Sequence, residues 1–213
     1  MKLQLPPANH QRSSLPFRTV ITAGTICFML ITAISFTNRE PASFPSTPPG
    51  QDSIASVKAF LTVYSVLKSP RCMNCHPAGD IPLQGDDSHP HIMLPQRGTD
   101  GKGLYAMKCA NCHQAANTPG VHTPPGNPKW HLPPADMKMV FQGRTARQLA
   151  LQIADPGQNG HKSKQDLLEH ASDTLVVSAW HPGDGRTLPP VSYAVFKKAW
   201  TTWITKGAYA PTK

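Results

Sequence analysis

The chain has 213 residues, 23 of them proline, with only 7% aromatics, a formal net charge of +9 and five cysteines. That length holds one sizeable domain or two small ones plus a tail, at about 100–200 residues per domain. The composition, however, predicts a thin side-chain core that another apolar body must complete. Nucleic-acid binding is disfavoured, because the Lys and Arg residues are scattered singly rather than gathered into a stripe with aromatics between them. The first forty residues hold four cations and one acid, so the remainder carries about +6. A surplus of that size reads as a solvated basic surface, or as a face that docks an acidic partner.

Residues 19–37, TVITAGTICFMLITAISFT, are an uncharged run bracketed by Arg18 and Arg39, and the stretch before them holds Lys2, Arg12 and Arg18 with no acid. A basic flank ahead of an apolar run is an export signal, with the downstream residues delivered across the cytoplasmic membrane. The run approaches the about 20 residues that span a bilayer. It is therefore expected to remain as a transmembrane anchor or to be cut near Ala33-Ile34-Ser35. Cys27 has Ile26 before it rather than a small residue, unlike a lipidation site. Residues 38–52, NREPASFPSTPPGQD, have the Pro- and Ser-rich composition of an extended linker, and 53–213 form the expected domain.

Within that domain Ser53 is expected to cap a helix in which Ile54, Val57, Phe60, Leu61, Tyr64 and Leu67 recur at three- and four-residue steps, ended by Pro70. The glycines and prolines of 77–103 and the six prolines of 117–136 predict irregular loops. Further helices are expected near Lys102, carrying the second cysteine pair, at about 144–154, at about 164–170 behind a Ser163–Asp166 capping box, and at about 191–206, ended by Gly207. Trp200 and Trp203 share the apolar face of the last one and read as core residues. No alternating run argues for a sheet. The fold class is mainly α with long Pro/Gly-rich loops, preceded by one N-terminal transmembrane or signal helix.

Four of the five cysteines fall into Cys72-Met73-Asn74-Cys75-His76 and Cys109-Ala110-Asn111-Cys112-His113. Both are C-x-x-C-H, the attachment pattern of a c-type haem. Two thiols three positions apart on one helical turn reach the two vinyl groups of neighbouring pyrroles, and the following imidazole is placed to ligate the iron. A single copy would be ambiguous, since C-x-x-C also serves zinc and dithiol redox sites. Two copies that share C-x-N-C-H behind an export signal point to two covalent haem c groups. Their iron ligands are expected to be His76 and His113, with domain halves of about 54–100 and 101–206. No thiol is left for a structural disulfide. For the second axial positions His89, His91, Met93, His122, His131, Met137 and Met139 are available. His91 is expected for the first iron, and His131 or Met139 for the second.

Gly101-Lys102-Gly103-Leu104-Tyr105-Ala106-Met107-Lys108-Cys109 resembles the N-terminal helix of mono-haem cytochrome c domains, so a cytochrome c-like fold is expected around the second haem. More narrowly, RCMNCHPAGDIPLQGDDSHPH, RGTDGKGLYAMKCANCHQAANTPG and PKWHLPPADMKMVFQG resemble small dihaem proteins labelled as isoquinoline 1-oxidoreductase subunits. The likeness covers about 54–206, with its specific matches before about 143. It implies a dihaem electron carrier, expected to be non-enzymatic and, from the export signal, to lie in the periplasm or on the outer face of the cytoplasmic membrane. Such a carrier would be the partner of a molybdenum hydroxylase or another exported dehydrogenase and of a respiratory-chain acceptor. The activity in the label is not expected here, because this chain has no further cysteine set for an iron–sulfur cluster and too few residues for a molybdopterin domain. The rival expectation is a catalytic dihaem enzyme, such as a cytochrome c peroxidase, with one iron open to substrate.

Overall fold

The computed structural model describes residues 50–212. The segment 19–37, Cys27 and most of the linker lie outside the described residues. Among the described residues are six α-helices, two single turns of 3-10 helix and one two-stranded sheet, and no helix is long and apolar enough to cross a membrane.

Helix α1 runs Gln51–Leu67, so helix begins before the linker's expected end at residue 52. Gly50, not Ser53, occupies the N-cap, and the Ser53 hydroxyl donates back to Gly50 O at 2.8 Å from inside the first turn. Bonded in this way, the Ser53 hydroxyl meets a carbonyl and not an unpaired N–H of the first turn, so it does not act as a cap. Pro70 ends α1 as expected and also occupies the first turn of α2 (Pro70–Met73), where its missing N–H costs no bond. Helices α3 (Ala146–Ala154) and α4 (Lys164–His170) start at reciprocal capping boxes, Thr145 with Gln148 and Ser163 with Asp166. The short α5 (Thr174–Val177), capped by Asp173 and followed by a 3-10 turn at Ser178–Trp180, was not expected from the sequence.

Helix α6 (Tyr193–Thr205) is capped by Ser192. It ends in a Schellman arrangement, with Ala208 N–H on Trp203 O and Gly207 N–H on Ile204 O. Gly207 has φ 106°, a conformation that favours a residue without Cβ.

Two expectations are corrected. The sheet, β1 (Leu83–Gln84) against β2 (His89–Pro90), pairs Leu83 with Pro90 and Gln84 with His89. Strands of two residues are too short to show alternation. Around the second motif there is no α-helix, only a 3-10 turn at Cys109–Asn111. Gly103 at φ 90° and Tyr105 at φ 50° are incompatible with a right-handed helix, and a Cβ at Gly103 would collide with Met107 O.

The core forms where α1 and α6 pack together with α3 and α4 beside them, through Phe60, Val63, Leu149, Ile153, Leu167, Phe196, Trp200 and Trp203. Fully burying side chains of this size is worth about 1.5–3 kcal/mol each. Phe60 and Trp203 meet with ring centroids 4.7 Å apart. Both tryptophans satisfy their indole N–H groups, Trp200 on Leu167 O at 2.7 Å and Trp203 on Tyr209 O at 3.1 Å. Trp203 is pure core, whereas Trp200 and Phe196 also form part of a cavity wall.

The loops are held by a buried cation. Arg97, 1% exposed, donates to Pro133 O at 2.6 Å and to Gly79 O at 3.0 Å, with its Nε 3.4 Å from the Asp80 carboxylate. It ties the chain after the first motif to the chain after the second, and both motifs belong to one compact unit.

Candidate functional site

The two C-x-N-C-H motifs share one local construction despite different backbones. In the first, which starts on α2, Cys75 N–H bonds Cys72 O at 3.2 Å and His76 N–H bonds Met73 O at 3.0 Å. In the second, on the 3-10 turn, Cys112 N–H bonds Cys109 O at 3.2 Å and His113 N–H bonds Cys109 O at 2.9 Å. The common asparagine is used alike, Asn74 donating to Gly85 O at 2.9 Å and Asn111 to Ala106 O at 2.7 Å. All four cysteines are free thiols.

The histidines match more closely still. Nδ1 of His76 lies 2.7 Å from Met139 O, and Nδ1 of His113 lies 2.7 Å from Pro125 O. A carbonyl only accepts, so in each ring the proton sits on Nδ1 and the Nε2 lone pair is available to a metal. Each ring also stacks on an aromatic, His76 on Phe141 at 3.9 Å and 8°, His113 on Trp130 at 4.0 Å and 7°. The bond sets the tautomer and the stack sets the ring plane.

Both motifs line a single cavity of about 900 Å³, at the upper end of the about 300–1,000 Å³ usual for ligand and cofactor sites. Leu67, Leu132, Ile153, Leu167, Phe196 and Trp200 make much of its wall apolar. Burial pushes the Cys72 thiol up to about 12 and the Cys75 thiol up to about 11. Burial also lowers His76 to about 4 against the opposing pull of the Met139 carbonyl, and depresses His113, His91 and His170 in the same direction. At neutral pH Cys72 and Cys75 are therefore protonated thiols, and His76, His91, His113 and His170 neutral imidazoles.

One wall is cationic. The Arg71 side chain, 7% exposed, donates to Asp86 Oδ1 at 2.5 Å and to Gly85 O at 3.2 Å, while its Nε has no partner. Arg186 lines the same wall, close enough for the two guanidinium charges to act on one another. Free thiols in pairs, neutral imidazoles with bare Nε2, an apolar interior and unbalanced positive charge fit covalently attached haem, whose carboxylates that charge would offset. Among the described residues no three His, Cys, Asp or Glu side chains are grouped as a cation cage.

The further ligand candidates separate in space. His91, expected beside the first motif, has its ring centroid 6.5 Å from that of His113. Met139, expected for the second iron, lies beside the first motif. Its carbonyl holds His76, and its sulfur is 3.9 Å from Gln152 Nε2. His131 lines the cavity with Nδ1 2.5 Å from Lys129 O. His89 has Nδ1 2.6 Å from Asp87 Oδ1, Met93 is 62% exposed, and His89, Met93, His122 and Met137 all reach the cavity.

Several residues of the candidate site are not named by the sequence reading. His170, in the last turn of α4, lines the cavity and acts electrostatically on His76. Phe141 and Trp130, which stack on the motif histidines, sit inside the strings KMVFQG and PKWHLPP, where each is the lone aromatic. A second cleft of about 330 Å³, lined by Asn117, Thr174 and His181 among others, contains neither motif. No family model, curated protein or solved structure matches the chain.

Proposed function

We propose that this chain is an exported dihaem c-type cytochrome that relays single electrons and performs no substrate chemistry of its own. Cys72 and Cys75 would fasten one haem c and Cys109 and Cys112 the other, with His76 and His113 as iron ligands. The observation that supports this most is the duplicated histidine setting, with both copies facing one apolar cavity.

Bound haem supplies a one-electron iron couple whose potential depends on axial ligand, hydrogen bonding and burial. The chain's residues set those conditions. The Met139 and Pro125 carbonyls polarise the two imidazoles and raise their ligand strength. Phe141 and Trp130 hold the ring planes, and the apolar part of the wall would surround bound groups with little water. Arg71 and Arg186, on the cavity lining, would offer charge to the carboxylates of the bound groups. A zinc site would draw on four grouped protein donors, a less economical reading of two motifs with identically buttressed histidines.

Because both motifs open into the same cavity, two irons there would stand close enough for electrons to pass between them. The likeness to dihaem proteins labelled as oxidoreductase subunits makes an exported molybdenum hydroxylase or other dehydrogenase the proposed donor. A respiratory-chain component is the proposed acceptor. The basic surplus outside the N-terminal segment would speed docking with an acidic partner. Residues 19–37 would place the domain in the periplasm, as a retained anchor on the membrane's outer face or as a cleaved signal.

A pyridine haemochrome assay with intact-mass measurement, on protein made alongside a haem-attachment system, tests this directly. Two covalent haems per chain are expected. Colourless mature protein with its thiols free or zinc-bound would overturn the proposal.

A further inference from the structure

We propose that His91 is the second protein ligand of the iron held by His113, so that the loop following the first motif closes the second haem site. The inference rests on the dihaem reading and carries it to a pairing that neither motif announces.

The His91 and His113 ring centroids are 6.5 Å apart with their planes at 70°. Two imidazoles bound through one nitrogen each, at roughly 2 Å on opposite faces of a metal ion, have centroids about 6–6.5 Å apart whatever the twist between their planes. Both rings line the cavity, and each turns Nδ1 toward backbone. His113 donates from Nδ1 to Pro125 O at 2.7 Å, and the Met93 N–H lies 3.3 Å from Nδ1 of His91. The Nε2 atoms are therefore the ones left for a shared partner. With a metal on Nε2 the proton of His91 sits on Nδ1, so the Met93 contact is given up. At 3.3 Å it is longer than an ordinary N–H bond of about 2.7–3.2 Å and is weak.

The backbone holds His91 in place for this role. Its N–H bonds Pro82 O at 2.9 Å, next to the small sheet, and its carbonyl accepts from Leu94 N–H at 2.8 Å. It stands between Ser88 at φ 55° and Leu94 at φ 49°, two left-handed residues of a kind that persists only where the surroundings over-determine it. Met139, by contrast, is committed to the His76 side.

The test uses the full haem-loaded chain and reads spectra, not activity. In the wild type both irons are expected to be low-spin. His91→Ala should retain two covalent haems yet lose half of the low-spin electron paramagnetic resonance intensity and gain one carbon monoxide-binding iron. His91→Met should keep two low-spin irons and add a thioether–iron charge-transfer band, which guards against a folding failure of the alanine variant. In a His91→Ala/His113→Ala double variant the iron at His76 should stay low-spin. An alanine variant with both irons still low-spin, or a double variant whose first iron turns high-spin, overturns the assignment alone. A wild-type chain without covalent haem overturns the dihaem reading and the assignment together.

Discussion

Arg97 is the residue whose removal should be felt at both motifs at once. Replacing it by methionine keeps an unbranched stem but withdraws the guanidinium from Pro133 O, Gly79 O and the Asp80 carboxylate. Asp80 keeps Lys138 at 2.9 Å and is half exposed, so it loses little. The two carbonyls matter more, since a buried group left unpaired costs about 1–3 kcal/mol. Relief of the desolvation borne by a buried cation offsets part of that loss. A net loss of about 3 kcal/mol is expected, a large share of the about 5–15 kcal/mol that holds a domain together. In urea, where stability falls by about 1–3 kcal/mol per molar, the midpoint should drop by about 1–3 M. The assay is equilibrium unfolding of the haem-loaded chain, followed by far-ultraviolet circular dichroism and by the Soret band. Arg97→Lys should not rescue, because an ammonium cannot span three acceptors that a planar fork reaches. A loss below about 1 kcal/mol in Arg97→Met, or full stability in Arg97→Lys, would refute the role given to this cation.

Cys109→Ala combined with Cys112→Ala should lower the haemochrome count from two to one and loosen the region from 101 to 136, which has no regular structure beyond a 3-10 turn. Trp130→Leu removes the stack on His113, worth about 0.5–1.5 kcal/mol beyond burial; a potentiometric titration should show one haem potential displaced and the other unmoved. The Asp80 carboxyl is held below its ordinary 3.8, first by the Lys138 hydrogen bond and then by Arg97. Its contribution to stability is present above the ordinary carboxylate range and lost as pH falls through the lowered value. Asp80→Asn should therefore reduce stability at pH 7 and flatten the acid limb of the stability profile, measured by thermal unfolding across pH. Peroxide should produce no fast spectral change and no turnover, and a rapid Soret shift in stopped flow would favour the catalytic reading instead.

The parts of the fold legible in the sequence were those specified within one or two turns. The capping boxes of α3 and α4 need only Thr145 with Gln148 and Ser163 with Asp166. The end of α6 needs only Gly207 after an apolar stripe. The helix expected before Cys109 failed for an equally local reason, because Gly101, Gly103 and Tyr105 all take positive φ and the run of plausible helix formers between them cannot propagate. The hairpin at Leu83–Pro90 and the four-residue helix α5 were illegible because neither is long enough to show a period. Arg97 gave no sign of burial, since its acceptors are carbonyls 18 and 36 residues away that only the folded loops bring to it.

The same distinction divides the candidate site. In each motif five consecutive residues place two thiols and one imidazole, so Cys72, Cys75, His76, Cys109, Cys112 and His113 could be named from spacing and are found on one cavity. Other groups that meet these histidines come from elsewhere in the chain. His91 comes within 6.5 Å of His113 although it lies between the motifs and only 15 residues beyond His76. Met139 turns its carbonyl to His76 although it lies 26 residues beyond His113. Loops that follow one motif thus reach the other motif as well, a crossing that order along the sequence does not show. Such crossing has a physical consequence. Opening either loop disturbs the setting of the other motif, so the two sites should be lost in one cooperative transition although the sequence presents them as two separable halves.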